Sequence, residues 1–248
     1  MLPIIRGWTD VKRTPESNLR LGAALAFVAG AANSEGFLAV GQYTSHMTGM
    51  LSTMANNAVL GNASLVLAAL AALIAFIAGA MTTAILVNWG LRRHLYSSYS
   101  LPLLLEAALL LVFGFIGASL SRHTALVVPM TVLLLCFMMG LQNAVISKIS
   151  HAEIRTTHVT GLVTDLGIEL GKLVFFNRLP GVEQVRASRA RMRAQTLLIG
   201  LFFVGGMMGA FGFHLAGYVT TLPLALLLVL LSLRPVLFDL GVLVRRLY

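Results

Sequence analysis

A six-residue polar phrase, used twice, carries most of the hydrogen-bonding chemistry of an otherwise apolar chain. The first copy is Thr44-Ser45-His46-Met47-Thr48-Gly49 and the second is Thr156-Thr157-His158-Val159-Thr160-Gly161. Each opens an amphipathic stretch. A hydroxyl can cap the helix that follows, Thr44 or Ser45 in the first copy and Thr156 or Thr157 in the second. Such a helix start presents unpaired N–H groups and a partial positive charge beside an imidazole. That is chemistry suited to an anion or a carbonyl oxygen. Gln42 lies just ahead of the first copy, and an Asn precedes each at a matched place, in Phe27-x-x-Gly30-x-x-Asn33 and Phe137-x-x-Gly140-x-x-Asn143. Those amides can line a site, or simply end the apolar helices. Single hydroxyls at helix starts are also ordinary caps and helix glue. The recurrence of His46 and His158 at matched positions favours function over structure. The substrate-binding candidates are therefore Asn33, Gln42, Thr44, Ser45, His46, Thr48, Asn143, Thr157, His158 and Thr160.

Carboxylates add a second chemistry. His158, Gly161, Asp165 and Glu169 fall on one helical face, matched in the first copy by His46, Gly49, Thr53 and Asn57. Asp165 and Glu169, with Glu35 close after Asn33, are candidate proton-coupling groups. Glu35 has an alternative place at the outer headgroups, and Glu106 reads as interfacial, near the start of its apolar run. Nucleotide-loop and metalloprotease motifs are missing from the sequence, and CxxC is too, so no cofactor and no metal are expected. Cys136 reads as a small buried hydrophobe.

These residues must be positioned by membrane helices. Hydrophobic residues make up 58% of the 248, charged residues only 11%, and the mean hydropathy is +0.87. A soluble domain carries about a quarter charged residues. Apolar runs cover about 20–40, 63–89, 101–120, 125–147, 195–216 and 220–240, unbroken rather than alternating as in a barrel. Two stretches, 45–60 and 158–173, are more polar and shorter than the ~20 residues a crossing needs. No removable signal peptide is expected. The net charge of +9 fits cytoplasmic loops better than nucleic acid, and the Arg186–Arg193 run reads as a solvated loop against anionic lipid.

Basic residues arbitrate the topology. With six spans and a cytoplasmic N-terminus, only Arg122 of the 18 Lys and Arg lies outside. If 45–60 and 158–173 also crossed, Arg92, Arg93, Lys148 and Arg155 would all move outside. The positive-inside rule favours six spans with both termini cytoplasmic. The two short stretches then become half-membrane helices, one entered from each side.

The repeat extends beyond the phrase. Phe76-Ile-Ala-Gly79 pairs with Phe203-Val-Gly-Gly206, and Leu101-Pro102-Leu103 with Leu222-Pro223-Leu224. The expected organisation is a cytoplasmic segment at 1–19, one repeat at 20–120 and a second at 125–240. Three spans per unit make the second run opposite to the first, an inverted-topology build common in secondary transporters. The predicted fold class is all-α membrane protein, with six transmembrane helices and two re-entrant ones. Gly205-x-x-x-Gly209 marks close helix contact, within the chain or in a homodimer.

The runs Gly30-x-x-Asn33, Gly41-Gln-Tyr-Thr-Ser-His-Met-Thr-Gly49, Gly140-Leu-Gln-Asn143 and Thr157-His-Val-Thr-Gly161 resemble the YoaK family, over roughly residues 20–240. It is a bacterial multi-pass family of unknown function. The resemblance implies a six-span protein of the inner membrane and brings no substrate or catalytic residue. Three functions remain open from the residues. The first is a secondary transporter of a small polar solute, anionic or carbonyl-rich. The second is a channel using the same half-helices. The third is a membrane-embedded enzyme using the His pair as acid and base.

Overall fold

The computed structural model describes residues 9, 14–118, 124–150, 158–176 and 184–247. They form eight α-helices: α1 Pro15–Val40, α2 Met47–Val59, α3 Ala63–Arg92, α4 Ser100–Ala118, α5 Thr124–Ile149, α6 Val159–Val174, α7 Arg189–Ala216 and α8 Thr221–Leu247. A 3-10 turn, Gly217–Thr220, joins the last two, and no strand occurs among the described residues. Five helical stretches are long and apolar enough to cross a membrane: Glu16–Val40, Ala63–Arg92, Ser100–Gly117, Val127–Ile149 and Arg189–Val244, the last comprising α7, the turn and α8. With 13 and 16 residues, α2 and α6 reach only ~20 and ~24 Å at ~1.5 Å per residue, short of the ~30 Å hydrocarbon core. The chain is an all-helical, membrane-embedded protein.

Two helix pairs cross with their backbones in contact. A Cβ on Gly30 would overlap the carbonyl oxygen of Phe202, and one on Gly205 that of Phe27. Likewise a Cβ on Gly79 would overlap the carbonyl of Phe137, and one on Gly140 that of Phe76. Four Phe-x-x-Gly motifs thus make two reciprocal crossings, α1 on α7 and α3 on α5, where only glycine admits the partner's main chain. The expected match of Phe76–Gly79 with Phe203–Gly206 is therefore displaced by one residue: Phe202–Gly205 makes the contact. Gly209 also abuts Ala31, so the Gly205-x-x-x-Gly209 stripe is occupied by α1 within the chain.

Both pairs run parallel. Gly79 meets Phe137, Thr83 Oγ1 donates to the Leu141 carbonyl at 2.8 Å, and Lys148 Nζ donates to Asn88 Oδ1 at 2.9 Å. Along the other pair, Ala26 packs with Leu198, Gly30 with Phe202 and Ala31 with Gly209. Between the pairs α1 and α5 run antiparallel, for Gln142 Nε2 donates to the Leu25 carbonyl at 3.2 Å while Gly36 faces Leu135. A continuous core of α1, α4, α5 and α8 fills the centre, with Leu25, Leu110, Phe113, Leu135, Met139 and Leu228 among its fully buried members.

One end of this bundle gathers the charges. The start of α1, the end of α5 and the end of α3 lie there by the directions just given. Asp239 of α8 accepts the N–H groups of Tyr96 and Ser97 at 3.0 and 2.8 Å, which fixes the α3–α4 turn and the end of α8 to the same side. Arg93 stacks over Trp89 at 5.6 Å, and Tyr96 meets Phe238 edge-on. Aromatic rings mixed with Arg suit a membrane–water interface.

Asn33 and Asn143 do not end their helices. They stand inside α1 and α5, which run on to Val40 and Ile149. The stop is instead Gly41, whose φ of 76° is a left-handed conformation that a glycine C-cap takes without strain.

Candidate functional site at two helix starts

After Gly41 the chain folds back along α1. Ser45 Oγ donates to Asn33 Oδ1 at 2.8 Å, and Thr44 is buried against Gly36. Asn33 lies seven residues, or ~10 Å, before the end of α1, so α2 begins at that depth. It then runs outward again. Met47 and Met50 pack against Ala72, Ala75 and Phe76 of α3 with Val132 and Cys136 of α5, and the turn through Gly61 (φ 74°) leads into α3. The helix of the second copy, α6, runs toward the charged end. Leu162 of α6 packs on Leu198 of α7 and Ala26 of α1, while Glu169, further along α6, reaches Ser188 at the start of α7. Measured on α1, Ser45 lies beside Asn33 and Leu162 beside Ala26, seven residues or ~10 Å apart. From levels ~10 Å apart along α1, the two short helices thus run toward opposite ends of the bundle.

The hydroxyl cap expected of the first copy is not formed. His46 and His158 occupy the N-cap positions, and neither helix has a side-chain cap hydrogen bond. Ser45 is committed to Asn33 instead, and Thr156 and Thr157 lie outside the described residues. Each imidazole folds over the glycine three residues on: a Cβ on Gly49 or Gly161 would overlap Nδ1 of His46 or His158. The His-x-x-Gly spacing in both phrases follows from that stacking. Among the described residues the first-turn N–H groups have no side-chain acceptor, as an anion or carbonyl ligand requires. His46, Thr48, His158 and Thr160 are exposed, as is Gln42, whereas Asn33 and Thr44 are buried and Ser45 and Asn143 half-buried.

The carboxylates separate into distinct environments. Asp165 is exposed and lines a 560 Å³ cavity among α1, α6 and α7, together with Leu19, Glu169, Lys172, Arg191 and Gln195. Glu169 is only 3% exposed and fully engaged: Lys172 Nζ donates to Oε1 at 2.9 Å and the Ser188 N–H to Oε2 at 2.7 Å, with Arg191 at 3.9 Å. The Lys172 hydrogen bond, then that of Ser188, holds its carboxyl below the usual carboxylate range. Its counterpart on α2, Asn57, accepts from Asn62 Nδ2 at 3.0 Å and donates to the Thr53 carbonyl at 2.9 Å. Since Asn62 and Ser188 are the N-caps of α3 and α7, both side chains tie a short helix to the start of the long one that follows.

Glu35 is fully buried, and neither of its carboxyl oxygens has a hydrogen-bond partner. It therefore lies inside the protein and not among headgroups. Glu106 is equally buried and equally without a partner, which corrects its reading as interfacial. The reason is that the early turns of α4 are covered by α8, clamped there through Asp239. The signal was in the spacing: Leu103, Glu106, Ala107, Leu110 and Phe113 form one helical stripe, and the other four all belong to the core. Among the described residues, no three His, Cys, Asp or Glu come together as metal ligands.

Apolar helices of spanning length and an end rich in Lys and Arg define a multi-pass transmembrane protein. Residues 21–233 match the family described as "Protein of unknown function (DUF1275)", and the chain belongs to it. It is 30% identical over 156 residues to the UPF0700 transmembrane protein YoaK of Bacillus subtilis (strain 168), across 62% of this chain and 68% of that one. The YoaK-like resemblance of the polar phrases is thereby borne out. No solved structure matches the chain.

Proposed function

We propose that the protein is a secondary transporter of the bacterial inner membrane that moves a small polar solute, anionic or carbonyl-rich. In this reading α1, α3, α4, α5, α7 and α8 are six spans, with α7 and α8 divided at Gly217, while α2 and α6 are half-membrane helices. Residues 20–120 and 125–240 are inverted repeats, and the charged end with both termini is cytoplasmic. The observation that carries it is the pair of helix starts at His46 and His158, without side-chain caps among the described residues, ~10 Å apart along α1 and with their helices running toward opposite ends. Water is scarce at that depth, so a solute's polar groups need donors already in place. The N–H groups of the first turns supply them, and Thr48, Thr160 and the imidazoles add adjustable partners. The Asn33–Ser45 hydrogen bond holds the first phrase in position. Asn143 and Thr157 are assigned the matching places in the second. Glu35, one turn or less from that hydrogen bond, is the proton-coupling candidate nearest the solute. Asp165 serves from the cavity on the cytoplasmic route, and Glu169 acts mainly by keeping α6 and α7 together.

The test is counterflow in proteoliposomes, using a panel of radiolabelled small carboxylates and carbonyl-bearing solutes, with and without a pH gradient. Uptake stimulated by solute on the opposite side, and reduced at least tenfold by Thr48→Val and Thr160→Val, is the expected result. Uptake without such stimulation makes the protein a channel, and uptake untouched by both Thr changes removes the helix starts from the site. Topology is checked separately by cysteine labelling in whole cells. Positions 93 and 186 should react only from the cytoplasm, and reaction at 93 from outside ends the inverted-repeat reading.

A further inference from the structure

Among the described residues, Glu106 is a buried carboxyl that has neither a hydrogen-bond partner nor a place in the solute pathway. It stands in the core of α1, α4, α5 and α8, with a relative exposure of 0%. Other buried polar atoms on the elements around it are also unsatisfied: Gln142 Oε1 on α5 and Ser232 Oγ on α8. Gln142 uses its amide Nε2 on the Leu25 carbonyl, which leaves the acceptor oxygen open. Counted from the charged end, Glu106 is six residues into α4 and Gln142 seven from the end of α5, both ~10 Å deep at ~1.5 Å per residue. The antiparallel register of α4 and α8, set by Ser97 with Asp239 and by Gly114 against Thr221, brings Ser232 within about a turn of the same level.

We propose that Glu106 is a proton-binding carboxyl, held as the neutral acid in the bundle interior with Gln142 Oε1 as the acceptor for its O–H. The charge balance requires a ligand of this kind. An ionised carboxylate there would be stripped of water with no donor in return, and a buried unpaired charge is among the costliest arrangements a fold can hold. Taking one proton from water removes the charge. It also converts one oxygen from acceptor to donor, which is what a site with an open amide oxygen lacks. The charged and titratable groups on the neighbouring elements are engaged or distant: near the start of α1 Arg20 pairs with Glu16, and Glu35 lies twenty residues beyond that start, toward the other end. Asp239 on α8 accepts backbone N–H groups and Arg234 is exposed; Lys148 on α5 bonds to Asn88; Arg93 at the end of α3 stacks on Trp89; Tyr218 of the 3-10 turn packs on Phe113. None of them hydrogen-bonds to Glu106. The inference does not rest on the transport reading, since it concerns a group in the resting protein and needs no solute.

The experiment is infrared spectroscopy of the full chain in nanodiscs at neutral pH, in a Glu35→Gln background that removes the other unpartnered buried carboxyl among the described residues. The expected result is a protonated-carboxyl C=O band that falls to baseline when Glu106→Gln is added. In the chain that retains Glu106, the same band should shift in frequency on Gln142→Leu, as loss of a hydrogen-bond acceptor requires. That second variant decides the matter if the double Glu variant does not fold. Absence of the band at neutral pH overturns the proposal. So does a band unaffected by Glu106→Gln, or one unmoved by Gln142→Leu. If the band is absent and sodium chloride raises the melting temperature where choline chloride does not, a cation occupies the site instead of a proton.

Discussion

The corner built from α2, α3 and α5 and the corner built from α6, α7 and α1 follow one packing plan. Met50, Ala72 and Cys136 occupy in the first the places that Leu162, Leu198 and Ala26 occupy in the second. Each short helix begins at an imidazole stacked on a glycine, and each ends by tying itself to the cap of the next long helix. The ties differ in kind. Asn57 and Asn62 make a neutral amide pair, whereas Glu169 makes an anionic hub for Lys172, Arg191 and the Ser188 N–H. The apolar interior of the plan is shared because burial depends on shape and volume. Its outer end is specialised because the two ends meet different surroundings, and the charges collect where the other Lys and Arg are.

The largest effect should come from the crossings that both corners share. Gly30→Val and Gly79→Val each drive a side chain into a carbonyl of the partner helix, at the severe end of overpacking, about 3 kcal/mol or more. Both should abolish or sharply lower the yield of monodisperse protein in detergent. Tolerance of valine at one crossing and not the other would break the equivalence of the two pairs.

A smaller effect should distinguish the ties. Because the folded-state carboxyl of Glu169 titrates below its unfolded value, its contribution is present above the ordinary carboxylate range and is lost as pH falls through its folded pKa. Melting temperature should therefore drop on acidification more steeply in the wild type than in Glu169→Gln, while Asn57→Ala leaves the slope unchanged. Parallel pH profiles for the wild type and Glu169→Gln would mean that the charge on this tie is not what holds it.

Smaller again is the Asn33–Ser45 hydrogen bond. Ser45→Ala should cost about 1 kcal/mol, and the Asn33→Ala, Ser45→Ala double variant less than the sum of the singles, read by thermal unfolding. Strict additivity would show that the two side chains act independently. The smallest change in stability is expected for Gly49→Ala and Gly161→Ala, within about 1 kcal/mol, because alanine favours the helix while the imidazole must swing away. Their mark should be on solute uptake, and equal losses from both would sharpen the equivalence of the two starts.

Much of this was legible in the chain. Hydropathy located the long helices, and the short lengths of 45–60 and 158–173 foretold α2 and α6 to within two residues. Asn33 was expected to line a site or to end its helix; the structure instead shows it mid-helix, accepting a hydrogen bond from Ser45. Three features were not legible. The register of the second Phe-x-x-Gly motif was ambiguous because Phe202-Phe203 and Gly205-Gly206 offer two readings, and only the contact with Phe27 decides between them. In the first copy the cap position went to His46 because a tertiary partner, Asn33, claimed Ser45, a competition that local propensity does not contain. Glu106 was misplaced because distance from a helix end is a poor guide to depth when another helix covers that end.

The reciprocal crossings also have a mechanical consequence. Each joins a helix from residues 20–120 to one from 125–240 through main-chain contact with no compliant side chain between them. The stiff members of the molecule are thus the α1–α7 and α3–α5 beams, each carrying one short helix lashed to it by Asn57 or Glu169. A displacement of one half of the sequence against the other would shear both beams. Sliding one beam past the other would leave both intact and draw the two helix starts together or apart, with Gln142 on the Leu25 carbonyl bridging α5 and α1 at the seam.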